Sequence, residues 1–202
     1  MINLYKSIIY LFYVCSSNKL KLPFRIYKKS CIETAPNSKI IFNKTSSRFY
    51  FNKTWTKKNP FYSHLTMGKN SKIIINNSFR IYPNARIGLG ENAVLELGSG
   101  FINTGSSITV KKHLFIGENV IIGPNCVIRD TDDHVLNNSE DTLDIIIKDN
   151  VWIGTNVTIL KGVIIEKGSV IAANTLVVKS VPENSLVGGV PGKVLKSNIT
   201  WS

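Results

Sequence analysis

Six aliphatic residues recur at intervals of six toward the C-terminus: Ile147, Ile153, Ile159, Ile165, Ile171 and Val177. Four positions after each stands a small or β-branched residue: Val151, Val157, Val163, Ser169, Thr175 and Val181. A second run, Val110, Ile116, Ile122 and Ile128, keeps the same interval. Six matches neither the 3.6-residue repeat of an α-helix nor the simple alternation of one long strand. It describes a coil with flat sides of about six residues, each pointing one large aliphatic residue inward and turning on small ones. Hexapeptide repeats of this kind build β-helices.

The pattern also divides the chain. Residues 1–35 read as a short helix followed by a basic connector, punctuated by Pro23 and Pro36. Residues 36–80 hold β-rich pieces without a clear period and read as irregular lead-in coils. Residues 81–181 read as the repeat proper, with Leu95, Phe101 and Ile108 as inward candidates where the register slips between Ala93 and Thr109. Residues 182–202 leave the repeat as a tail, through a turn at Gly188-Gly189. The step from Ile128 to Ile147 is 19 residues rather than 18, so a loop, residues 129–146, is inserted there. Loops on a rigid repeat scaffold are where function concentrates.

Charge and cysteine content narrow the partners. The net charge of +12 is uneven: residues 1–80 carry 15 Lys and Arg against a single acid, Glu33, whereas residues 81–202 carry 10 basic and 12 acidic residues. A basic first third beside a near-neutral repeat predicts anionic company: phospholipid headgroups, a lipid diphosphate or a nucleotide. No nucleic-acid-binding motif is present. Cys15, Cys31 and Cys126 have no metal-ligand spacing and argue against a disulfide-built secreted domain; Cys126 occupies a small-residue position of the repeat and reads as a buried thiol. The apolar segment Ile8–Cys15 is too short to span a bilayer and lacks a signal-peptide cleavage site. It reads as an amphipathic helix that packs on the domain or lies on a membrane surface.

The stretch Val151-Trp152-Ile153-Gly154-Thr155-Asn156-Val157-Thr158-Ile159-Leu160, then Val170-Ile171-Ala172-Ala173-Asn174, then Val187-Gly188-Gly189-Val190-Pro191-Gly192-Lys193-Val194 resembles the hexapeptide-repeat O-acetyltransferases. These include maltose and galactoside acetyltransferases and many capsule and lipopolysaccharide O-acetyltransferases. The resemblance runs from about residue 81 to residue 196. It implies an all-β fold, a left-handed parallel β-helix with a short N-terminal helical segment and a C-terminal tail. The period alone gives the coil and not its hand, and a left-handed coil runs against the usual crossover preference.

The resemblance also assigns candidate chemistry. His134, in Arg129-Asp130-Thr131-Asp132-Asp133-His134, lies in the inserted loop. A histidine beside acids is commonly a solvated surface residue, but this one matches the family's catalytic histidine, and imidazole suits acyl transfer to a hydroxyl. Asp132 or Asp130 is expected to support it. Asn103 matches an asparagine placed beside acceptor and thioester in galactoside-type enzymes; the alternative is a turn asparagine at a coil corner. Eight residues on, where that subfamily has an acid for its sugar, this chain has Lys111. Trp152 is implied to line the cleft near the acetyl group, or to pack between subunits. Gly154, Thr155, Ala173, Lys179, Lys193 and Lys196 match positions that hold coenzyme A, with the lysines as point charges for its phosphates; the plain alternative for the lysines is solubility. Backbone N–H groups near Gly154 and Thr155 are expected to hold the oxyanion.

The implied reaction is acetyl transfer from acetyl-CoA, without a metal, to a hydroxyl of a sugar or lipid-linked saccharide. The implied assembly is a homotrimer with sites between subunits, cytoplasmic, with peripheral contact at the inner membrane face through the basic N-terminus. Two alternatives stand beside it: an N-acetyltransferase acting on an amino sugar nucleotide, and a non-catalytic β-helix module. The γ-class carbonic anhydrases share the scaffold but bind zinc through three histidines. Here only His113 and His134 fall in the repeat, with His113 reading as an exposed turn residue and His64 outside it.

Overall fold

The computed structural model describes residues 23–56, 59–135 and 140–201. The chain winds through three flat sides per coil. The first coil holds β1 (Phe24–Ile26), β2 (Ser30–Thr34) and β3 (Lys39–Phe42), and the second β4 (Arg48–Phe51), β5 (Ser63–Met67) and β6 (Lys72–Ile75). The third holds β7 (Ser78–Ile81), β8 (Arg86–Leu89) and β9 (Val94–Leu97), and the fourth β10 (Gly100–Ile102), β11 (Ser107–Val110) and β12 (His113–Ile116). The fifth holds β13 (Val120–Ile122), β14 (Val127–Arg129) and β15 (Ile145–Ile147), and the sixth β16 (Trp152–Ile153), β17 (Thr158–Ile159) and β18 (Ile164–Ile165). Then come β19 (Val170–Ile171), β20 (Leu176–Val177) and a closing hairpin of β21 (Leu186–Gly188) and β22 (Lys193–Lys196). First strands stack on first strands, second on second and third on third, giving three parallel sheets, here called A, B and C. This is a left-handed parallel β-helix.

Inward residues alternate with outward ones along each strand, as period-2 geometry requires. Every large aliphatic residue of the six-residue series is buried, and so are the small residues between them. Ile, Val and Leu dominate this interior because β-branched side chains fit the pleat and fill a narrow core without polar atoms. Asparagine turns the corners. Asn37, Asn70, Asn92, Asn119, Asn125, Asn150, Asn156 and Asn174 all have φ between +54° and +62°, a region that asparagine tolerates. Their amides stack from coil to coil, as in Asn119 to Asn150 at 2.7 Å and Asn156 to Asn174 at 3.1 Å.

Three expectations change. The stack begins at Phe24, within the segment read as a connector, and the residues read as lead-in coils pair in register with the rest. Their period was hidden because sides of two lengths mix: buried Leu65, Ile73, Phe79, Ile87 and Leu95 follow one another at intervals of eight, six, eight and eight. Phe101 faces outward and Ile102 takes the core position. The offset arises at Gly100, whose φ is +131° and where a Cβ would meet the Val120 carbonyl oxygen at 1.9 Å. The expected N-terminal helix lies outside the described residues.

Candidate functional site

The inserted loop joins sheet B to sheet C in the fifth coil, directly against the Lys111-Lys112 corner of the fourth. Asp130 fastens it there. Its buried carboxylate accepts the backbone N–H groups of Lys111 at 2.7 Å, Lys112 at 2.8 Å and His113 at 3.0 Å. Burial pushes this carboxyl above its ordinary value, and the three N–H donors pull the other way. Above that anchor the loop is a short antiparallel ribbon. Thr131 bridges Thr142, the Asp132 N–H donates to the Asp141 carbonyl at 2.9 Å, and the Leu143 N–H donates to the Asp130 carbonyl at 2.9 Å. Lys161, one coil on, reaches back to the Asp132 carboxylate at 2.6 Å and donates to the Glu140 carbonyl.

His134 is an exposed residue near the tip of this ribbon. The residue before it is tightly held. Asp133 has φ of +62°, its N–H donates to Thr131 Oγ1 at 2.9 Å, and its carboxylate meets both Lys111 Nζ, at 2.7 Å, and the Arg129 guanidinium. The hydrogen bond from Lys111 holds the Asp133 carboxyl below its ordinary value. The expected support of His134 by Asp132 or Asp130 is not seen. Asp132 pairs with Lys161, and Asp130 is committed to backbone amides. Among the described residues the His134 ring has no hydrogen-bonded partner, so it is open to an incoming group.

His113 differs from its reading as an exposed turn residue. It begins β12, half-buried, with Nε2 3.1 Å from Glu96 Oε1 and Nδ1 3.4 Å from Asp144 Oδ2. These contacts fix the third sheet beside the loop's exit.

The remaining candidates gather on another edge. Asn103, Gly154, Thr155 and Ala173 stack at the corner between sheets A and B, in the fourth, sixth and seventh coils. The Asn103 side-chain oxygen accepts the Thr104 N–H at 2.8 Å, which holds the corner and turns the amide nitrogen into the available donor. Gly154 cannot hold an oxyanion through its N–H, because that group donates to the Ile171 carbonyl at 2.8 Å. A Cβ at Gly154 would stand 2.7 Å from the Ala173 nitrogen, so glycine there permits close stacking of coils. Trp152 faces outward on sheet A, 45% exposed, with its ring centroid 6.1 Å from that of Trp201. The tail is held there by the Trp201 indole N–H, which donates to the Asn150 carbonyl at 3.0 Å. Lys193 and Lys196 lie exposed on β22. Lys179 is also exposed, but it follows β20 and so sits on the corner between sheets B and C, the edge that carries His134.

A single chain therefore divides the candidates. His134, Asp132 and Lys179 occupy one corner; Asn103, Trp152, Thr155, Ala173, Lys193 and Lys196 occupy the next corner and the face beyond it. Sheet B lies between, roughly five residues wide, about 15 Å at about 3.3 Å per residue.

The sequence reading missed a second insertion, residues 52–62, between β4 and β5. It carries Trp55, which stacks on Tyr82 with centroids 4.2 Å apart and planes at 9°. The aromatic residues Trp55, Phe61 and Tyr62, closely spaced and without a repeat partner, were the available signal.

Comparison with known proteins adds to this geometry. Residues 144–179 match the family described as bacterial transferase hexapeptide (six repeats). The chain is 33% identical over 127 residues to the galactoside O-acetyltransferase of Escherichia coli, covering 54% of this chain and 62% of that protein. It is 54% identical over 52 residues to the 2,3,4,5-tetrahydropyridine-2,6-dicarboxylate N-acetyltransferase of Clostridium perfringens, covering 26% of this chain and 22% of that one. Among solved structures, the polysialic acid O-acetyltransferase OatWY superposes with a TM-score of 0.60 at 27% identity, covering 86% of this chain and 90% of that one. The chain spans between about a quarter and three fifths of the length of the first curated relatives it matches.

Proposed function

The chain belongs to the hexapeptide-repeat transferases, and from that premise we propose that it moves an acetyl group from acetyl-CoA to a sugar hydroxyl, with His134 as general base. The observation that carries this reading is an imidazole with no hydrogen-bonded partner among the described residues, on a loop whose base is fastened by Asp130, Asp133 and Lys161. In the reaction, the hydroxyl oxygen attacks the thioester carbonyl carbon as its proton passes to the His134 imidazole. The tetrahedral intermediate then expels the coenzyme A sulfur, which takes that proton from the imidazolium. No acyl-enzyme is needed. Cys126 is unsuited to forming one, because its thiol is buried, donates to the Gly154 carbonyl at 3.1 Å and is pushed up to about 11 by burial.

Acetyl-CoA fits the edge that carries Thr155 and Ala173, with exposed lysines to meet its phosphates. Asn103 donates to the acceptor oxygen or the thioester carbonyl. Because His134 and Asn103 stand on different corners of one chain, the working site forms between two copies, and a closed ring of three provides three such sites. Presentation of the acceptor on a lipid at the cytoplasmic membrane face rests on the basic, apolar N-terminus. Salt-sensitive co-sedimentation with anionic vesicles, lost on deleting residues 1–20, tests that part.

The central test is His134→Ala. Turnover with acetyl-CoA and an accepted sugar is expected to fall roughly 10²–10⁴-fold, with coenzyme A affinity unchanged. Transfer at near the original rate overturns the role of His134.

A further inference from the structure

A row of outward side chains climbs sheet A, one per coil. Arg25, Tyr50, Arg80, Phe101, Ile121 and Trp152 are successive register partners. At its lower end three cations surround one ring. The Arg25 guanidinium stands 5.6 Å from the Tyr50 centroid, the Lys53 ammonium 5.3 Å and the Arg80 guanidinium 5.9 Å. Each cation is drawn to the negative face of the ring, but three like charges around one ring also repel one another. Lys53 registers the strain: burial, then Arg80, then Arg25 hold its ammonium below the ordinary lysine value. Among the described residues, none of the three has an acidic partner. An anion placed among them relieves the repulsion.

Trp55 lies beside this cluster. It is braced by Tyr82 beneath it and by the Phe101 ring at 6.4 Å and 89°, yet it remains 66% exposed. One face is pinned and the other is open. The apolar C–H face of a pyranose ring buries against such a plane while its hydroxyls stay in water. Phe101 also joins the patch to Asn103, two residues further along. Adjacent coils are about 4.8 Å apart, so the cations lie one to three coil steps below Phe101, about 5–15 Å, the span of a short oligosaccharide.

We propose that this patch is the acceptor subsite for an anionic saccharide: its carboxylate or phosphate docks among Arg25, Lys53 and Arg80, and a neighbouring sugar ring stacks on Trp55, leading the chain toward Asn103. The proposal rests on the acetyl-transfer reading for the fate of the hydroxyl, but not for the binding itself. A membrane surface is the competing occupant. It suits this patch less, because the three cations are half-buried around an aromatic ring rather than projecting from an exposed rim.

The test measures binding by calorimetry to the full chain without acetyl-CoA. The probes are trigalacturonate, neutral galactotriose, galactose 1-phosphate and phosphatidylglycerol vesicles. At least one anionic sugar is expected to bind about tenfold or more tightly than galactotriose, and the tighter of the two identifies carboxylate or phosphate as the docked group. Arg80→Gln with Lys53→Gln abolishes that preference, and Arg80→Lys with Lys53→Arg restores part of it. Trp55→Ala weakens all three sugars. Circular dichroism confirms folding, and retained coenzyme A binding separates local from global damage. Absence of preference for either anionic sugar, an unchanged preference in the Gln variant, or binding to vesicles alone overturns the proposal. If the anionic preference stands while no sugar is acetylated, the transferase reading fails and the subsite survives. If neutral and anionic sugars are acetylated and bound alike, the subsite fails and the transferase reading survives.

Discussion

Lys111 Nζ lies 2.7 Å from Asp133 Oδ1, and this ion pair fixes the residue immediately before His134. Lys111 stands where galactoside-type relatives are expected to carry an acid for the sugar, so the sequence marks it only as a departure. In the fold it works on the loop instead. It shares Asp133 with Arg129, closing a cation–carboxylate–cation bridge over the loop's entry.

That bridge predicts a positioning effect. Lys111→Met is expected to lower kcat roughly tenfold or more, since small displacements of a reacting group are costly, while KM for acetyl-CoA stays the same. The pH dependence has a definite sign. The Asp133 carboxyl sits below its ordinary value because of Lys111, so the bridge is complete above the unfolded value near 3.8 and is lost as pH falls through the lower folded value. Acid unfolding curves of wild type and Lys111→Met should therefore converge at the acid end. Curves that stay parallel down to the lowest pH would show that the bridge does not couple to folding.

Asp130 predicts the opposite pH sense. Its carboxyl is raised by burial, so its contribution to stability is largest below the unfolded value and declines as pH rises through the folded one. Its three N–H partners make the residue hard to replace all the same. Asp130→Ala leaves three part-buried N–H donors without this acceptor, each at the low end of about 1–3 kcal/mol because water reaches the corner, and a total loss of about 3 kcal/mol is expected in urea unfolding. Asp130→Asn keeps one acceptor oxygen and is expected to cost less, with a flatter stability profile above the unfolded value of 3.8. Equal costs for the two changes would show that the N–H groups find water.

Much of this fold is legible as a period. Ile147 to Val177 mark the inner wall because every side of the upper coils has the same length, so one count suffices. The lower coils defeat that count because one six-residue step is mixed among eight-residue steps between Leu65 and Leu95. A better signal was present there: an asparagine at three of the four corners from β5 to β9, Asn70, Asn84 and Asn92, each at positive φ. The loop of His134 was legible as a break in the period. Its fastening by Asp130 was not, because three bonds to the backbone of residues 111–113 leave no trace in side-chain spacing. The division of the candidates between two corners was also hidden. A repeat shows which residues face outward, but the corner a residue occupies depends on counting every side from the first coil.

Cys126 offers a test of interior packing. Its thiol is pushed up to about 11 from an ordinary 9.0. It should resist alkylation by iodoacetamide at pH 8 in the folded protein and react fully in denaturant. The linkage follows from the raised value. The stabilising contribution of the protonated thiol is complete below pH 9.0 and disappears as pH rises through about 11. Wild type should lose stability relative to Cys126→Ala across that range, by about 1.4 kcal/mol per pH unit at most. Rapid labelling of folded protein at pH 8 would place the thiol outside the core.

Separation of His134 from Asn103 by the width of sheet B makes the proposed site between copies directly testable. One variant carries His134→Ala and a second carries Asn103→Ala with Trp152→Ala, and each alone is expected to be nearly inactive. Unfolded together in equal amounts and refolded, they form mixed rings. Where the second variant supplies His134 and its neighbour supplies Asn103 and Trp152, a complete site returns. In a ring of three assembled at random, about one site in four has this composition, so activity should recover to about a quarter of the wild-type value. Mixing the two proteins after separate refolding, without subunit exchange, should give only the sum of their residual rates. If co-refolding also gives no more than that sum, while size measurements show mixed rings, then each chain holds its own complete site and the division across sheet B has no catalytic meaning.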